Sequence, residues 1–170
     1  MPDYAPRGAP SFEPLRALTV LEEHQVDYIL IGGFAAVVHG SPLRTGDADV
    51  CPDRKPANLE RLARALAALE ARLRTATDPA GVAFPIEPAF LGQVETWNLT
   101  TRYGWLDMSF RPSGTGGFDD LRRDAVRVDL GEGLTVLVAS LADVIRSKEA
   151  AGREKDRAAL PTLRRLLERS

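Results

Sequence analysis

One cysteine, two histidines and few aromatic residues are spread over this chain of 170 residues. Cys51 has no partner for an internal disulfide, so the fold must be held by packing alone, and a reducing cytoplasm is the simplest expected compartment. Its place in an apolar run predicts a small strand filler rather than a reactive thiol. No apolar run approaches membrane-spanning length, and the first residues lack an apolar signal core, so no membrane association is expected. Twenty-two basic residues stand against 24 acidic ones, which excludes a surface coated in positive charge for non-specific nucleic-acid binding. No Walker A segment and no Gly-x-Gly-x-x-Gly loop occurs.

What remains is an aliphatic, ordinarily charged chain of about the usual size of one domain. Residues 1–11, rich in Pro and Gly, are expected to form a flexible N-terminal tail, and residues 12–170 a single domain. Leu15, Leu18 and Leu21 predict an amphipathic helix over residues 12–23 docked on the core. A strand over 27–31 leads into a short glycine-initiated helix ending near Val38, with His39 as a polar cap. A strand over 47–51 follows. Leu59, Leu62, Leu66, Leu69 and Leu73 predict one long helix over 58–73. Residues 76–88 read as an irregular excursion, 93–101 and 105–110 as a hairpin, and 112–117 as a loop. Short strands are expected near 125–130 and 134–138. Ser140 predicts a capped helix with Asp143 reaching back to the cap. Pro161 is expected to mark the start of a terminal helix. The pattern is α+β, a mixed sheet flanked by helices.

The chemistry is concentrated in Ile31-Gly32-Gly33 and, a short helix later, Asp47-Ala48-Asp49-Val50. Alternate residues of a strand share a face, so Asp47 and Asp49 project together. Two carboxylates so placed repel unless a cation lies between them, and their hard oxygens suit magnesium, with manganese as a substitute. Glycine at a strand-to-helix turn lets phosphate oxygens approach unpaired backbone N–H groups. Arg44-Thr45 stands just ahead of the aspartates, where arginine can grip phosphate. Asp107, inside the strand-like run Trp105-Leu106-Asp107-Met108, is an unexpected acid for such a segment.

These residues resemble the polymerase-beta-type nucleotidyltransferase superfamily, and His39-Gly40 with Arg44-Thr45 resembles its minimal members, in particular the AbiEii-type toxin group. The stretch from Ser140 to Leu160 is similar to the same group. The resemblance implies a polymerase-beta-like fold, an NTP substrate, and Mg2+ or Mn2+ held by Asp47, Asp49 and Asp107. It implies a nucleotide site formed by Gly32, Gly33, Arg44, Thr45, Lys148, Arg153, Lys155 and Asp156. It also implies transfer of an NMP to a hydroxyl of tRNA, protein or a small molecule, with pyrophosphate release. A toxin–antitoxin or phage-defence role, with an antitoxin or homodimer partner, would follow from the same grouping. Two departures stand out: Gly33 replaces a frequent serine, which shifts phosphate binding towards Arg44 and Lys148, and Ala159 replaces a second acid. They leave open a non-catalytic nucleotide- or partner-binding module on the same fold.

Overall fold

The computed structural model describes residues 10–170; most of the expected tail, residues 1–11, lies outside the described residues. In chain order the elements are α1 (Pro14–Glu23), β1 (Tyr28–Ile31), α2 (Gly32–Val38), β2 (Asp47–Pro52), α3 (Pro56–Ala68), β3 (Arg72–Leu73) and α4 (Pro88–Gln93). They continue with β4 (Thr96–Thr101), β5 (Gly104–Ser109), α5 (Phe118–Arg122), β6 (Val126–Asp129), β7 (Thr135–Val138), α6 (Leu141–Ala151) and α7 (Glu154–Glu168). The strands form one seven-stranded sheet in the order β3-β4-β5-β2-β1-β7-β6. It is mixed: β1 runs antiparallel to β2, while β2 pairs with β5, and β1 with β7, in parallel. Among the described residues no helix is long and apolar enough to cross a membrane.

The sheet separates apolar from polar chemistry by strand alternation. Ala48 and Val50 on β2, and Leu106 and Met108 on β5, are buried at 0–1 % exposure, while Asp47, Asp49, Trp105 and Asp107 between them remain partly exposed. Ile29, Leu30, Leu62, Leu66, Leu18 and Leu21 complete the core. Burying side chains of this size contributes about 1.5–3 kcal/mol each relative to exposure. The polar edge of the same strands is therefore carried on a rigid support.

Several elements differ from the sequence expectation. Leu15 is 43 % exposed, so only Leu18 and Leu21 of its stripe dock. The leucine-rich helix ends at Ala68, not at residue 73. Glu70 adopts φ +54°, and Ala71 N–H bonds back to Leu66 O, which turns the chain out of the helix and sends Leu73 into β3. Two short helices, α4 and α5, lie almost wholly in segments to which the sequence reading assigned no element. Each is under two turns and so lacks a full amphipathic period. Ser140 Oγ does accept the Asp143 N–H at 3.1 Å, but the Asp143 carboxylate turns to Arg146 at 3.0 Å instead of reaching back. Pro161 lies inside α7, not at its start. The helix already begins at Arg153, where Arg153 and Asp156 cap its first turn. Pro161 and Arg157, the residue whose carbonyl loses a helical partner to the proline, are both exposed, so water is available to that carbonyl.

Candidate functional site

The site is organised by the parallel pairing of β2 with β5, which sets Asp49 opposite Asp107 and Asp47 opposite Trp105. Carboxylate oxygens of Asp47, Asp49 and Asp107 all lie within 4.8 Å of one another. Ligands on opposite sides of a magnesium ion stand about 4.2 Å apart, so small side-chain rotations close this cluster on an ion. The donor set is three hard anionic oxygens with no sulfur or imidazole, which fits Mg2+ or Mn2+ and not zinc.

Without an ion the cluster is electrostatically frustrated. Burial, then the charges of Asp47 and Asp107, raises Asp49 to about 8, even though Lys155 and Lys148 pull it down. Asp107 is raised to about 7, chiefly by burial; Arg74 lowers it and Asp47 pushes it up. Carboxyls held this far above their ordinary range are short of positive charge.

Gly32 ends β1 with φ +68°, in the region that only glycine adopts freely. A Cβ there would lie 2.5 Å from Asp49 Oδ2, so the turn packs directly on a carboxylate of the cluster. Helix α2 starts here with no side chain capping it. A Cβ at Gly33 would come 3.1 Å from Thr45 Oγ1, and that hydroxyl donates to Asp47 O at 3.1 Å. Thr45 therefore bridges the turn and the metal strand. Arg44 is exposed in the loop before it. His39 caps α2, and its Nε2–H donates to Ala139 O at 2.7 Å, tying the helix to the end of β7.

On the far helices Asp156 is fully buried. It accepts from Arg153 Nε at 2.7 Å and faces Lys148 Nζ at 3.4 Å. Burial alone would raise the Asp156 carboxyl, but Arg153 and then Lys148 hold it below its ordinary value. Asp156 is thus an anchor beneath the cations and not a group facing the cluster. Lys155 is exposed, and its charge lowers Asp49 ahead of that of Lys148. Arg153 feels both Asp49 and Asp47.

Sequence reasoning missed Arg74. Its Nη2 lies 3.0 and 3.3 Å from the two oxygens of Asp107, and its guanidinium sits 4.0 Å from the centre of the Trp105 ring. The available signal was the Arg72-x-Arg74 alternation just after the leucine stripe, but its register is set only by pairing with β4. A cleft of about 590 Å³ between Ala71, Arg72, Phe84, Ile86, Thr100 and Arg102 contains none of the three carboxylates.

The arrangement of the mixed sheet and its helices matches the nucleotidyltransferase fold. Among solved structures the chain is similar to the lincosamide antibiotic adenylyltransferase LnuA in its lincomycin-bound crystal structure. The TM-score is 0.59 at 16 % identity, over 92 % of this chain and 99 % of that one. At that identity the likeness concerns the fold, and it does not extend to the AbiEii-type grouping. No family model and no curated protein matches the chain.

Proposed function

We propose that this protein is a metal-dependent nucleotidyltransferase, moving an NMP from an NTP to an acceptor hydroxyl with release of pyrophosphate. The observation that carries this reading is the cluster of Asp47, Asp49 and Asp107 with the Gly32 turn packed on Asp49. Mg2+ or Mn2+ held by these carboxylates would neutralise charge on the attacking and leaving oxygens. The chain's own residues bind and orient. Gly32 and Gly33 offer backbone N–H groups to the triphosphate, Thr45 secures that turn to Asp47, and Arg44, Lys148, Arg153 and Lys155 supply positive charge. Asp156 holds Lys148 and Arg153 from below. In-line substitution requires the acceptor to enter opposite the departing pyrophosphate. With the triphosphate on the β1–α2 turn, the acceptor side is the flank of Asp107, one strand beyond β2 in the sheet.

A small-molecule hydroxyl is the favoured acceptor, because the similar solved structure is named as an antibiotic adenylyltransferase and the two chains superimpose over nearly their whole lengths. Acceptors of tRNA or protein, and a role as a toxin with an antitoxin partner, rest on motif resemblance alone. The test is incubation with each labelled NTP and Mg2+ or Mn2+ against antibiotics bearing hydroxyls, pooled tRNA and protein lysate. Pyrophosphate release with label on a small molecule supports the reading. Label on tRNA or protein replaces the acceptor, and NTP binding without any pyrophosphate would make the chain a non-catalytic module.

A further inference from the structure

Among the described residues the carboxylate cluster has one direct cationic partner, Arg74, and it lies on the flank that the motifs do not describe. Arg74 follows β3, where its N–H donates to Asn98 O at 2.8 Å. Asn98 stands opposite Asp107 across the β4–β5 pair, so sheet register brings the arginine to the third carboxylate. A single nitrogen, Nη2, contacts both Asp107 oxygens. The guanidinium lies over the Trp105 ring, and Nη1 reaches Leu99 O at 3.4 Å. The two side chains are only 16 % and 18 % exposed. A pair so shielded is weakly screened by salt, and the aromatic face fixes its geometry.

We propose that Arg74 is the resident counter-cation of the cluster: it stabilises the metal-free protein by neutralising Asp107 and thereby opposes divalent-ion binding at that carboxylate. An ion reaching Asp107 meets two oxygens already engaged by a fixed positive charge. It must share or displace that partner and accept the repulsion of like charges at close range. The opposite flank differs, since Lys148 and Arg153 are tied to Asp156, not to the carboxylates of the cluster. The inference rests on the proposed metal site but not on turnover.

The test uses nucleotide-free protein, titrated with Mn2+ by electron paramagnetic resonance and melted separately in EDTA. Arg74→Met keeps an apolar stem over Trp105 and removes the charge. It should lower the melting temperature in EDTA by roughly 2–4 °C, yet tighten Mn2+ binding by about fivefold or more. Arg74→Lys, which retains charge without the planar group, should fall between wild type and Arg74→Met in both readouts and carries the test if Arg74→Met does not fold. In an Asp107→Asn background, Arg74→Met should leave Mn2+ affinity unchanged. Unchanged or weaker Mn2+ binding in Arg74→Met would overturn the proposal, as would a tightening that persists without Asp107. Failure of the wild-type protein to bind Mn2+ would instead overturn the metal-dependent function itself, and this inference with it.

Discussion

The two flanks of the carboxylate cluster balance its charge in opposite ways. On the side of α6 and α7, Lys148 and Arg153 lean on a buried acid, Asp156, while Lys155 is exposed, and all three act on Asp49 or Asp47 through space. On the side of β3 to β5, Arg74 touches Asp107 directly and is stacked on Trp105. Lys155 has no ion pair among the described residues and keeps its hydrogen-bonding capacity for an incoming anion, whereas Lys148 and Arg153 have spent part of theirs on Asp156 and Arg74 has spent its own on Asp107. Under the proposed function, that difference would suit the helical flank to the triphosphate and the sheet flank to the acceptor.

The sharpest break of this comparison is at its centre. Asp49→Asn should reduce nucleotidyl transfer to background in a pyrophosphate-release assay, because a neutral isostere no longer supplies an anionic ligand. Retained turnover would remove the cluster from the chemistry. Next comes the anchor of the helical flank. Asp156→Ala leaves Lys148, only 17 % exposed, without its buried partner, while Arg153, 62 % exposed, is taken up by water, so the loss should fall below the roughly 3–5 kcal/mol of a fully buried pair. A melting temperature within a degree or two of wild type would show that Asp156 anchors neither.

Lys148→Ala and Lys155→Ala should each weaken NTP binding by about tenfold, the size of one charged hydrogen bond, with Lys155 at least equal to Lys148. Nucleotide titrations of the two variants measure this directly, and a loss confined to Lys148 would take Lys155 out of the nucleotide site. The smallest effect is in pH. Asp49 and Asp107 are raised in the folded protein, to about 8 and about 7, so the folded state binds more protons than the unfolded one above about pH 4. Their contribution to stability is full below that pH and is lost as pH rises through 7 and 8. In EDTA the protein should therefore melt at a higher temperature at pH 6 than at pH 8.5, with Mg2+ offsetting the loss at high pH. Asp49→Asn should flatten the slope, and an equally steep slope in that variant would place the responsible groups elsewhere.

Legibility of the site in sequence followed the range of the interactions involved. Asp47 and Asp49 share a face by simple alternation, and Asp107 betrays itself as an acid among buried neighbours. Gly32 stands out as a glycine at a strand-to-helix turn, although its packing on Asp49 emerges only in the structure. Arg74 could not be read, because its partner is fixed by a two-residue strand whose register depends on β4. The buried position of Asp156 was equally hidden: a carboxylate in a charged helix looks solvated until α6 is laid against it. Within the fold, long periodic segments were readable, whereas α4 and α5 were too short to show a period. The interior placement of Pro161 turned on exposure at Arg157 that no local pattern reveals.

The pairing of Asp49 with Asp107 also bears on how the chain folds. These residues are far apart in sequence, and β2 and β5 run in parallel, so their contact forms only after a long loop has closed. A slip of one residue between the two strands would bring Leu106 to the polar face and send Asp107 into the core. Repulsion between the two aspartates opposes the native alignment during folding, while the apolar residues alternating with them enforce it. Divalent ions held by the cluster would stabilise only the correctly aligned sheet, so refolding in Mg2+ should favour the native register of β2 against β5.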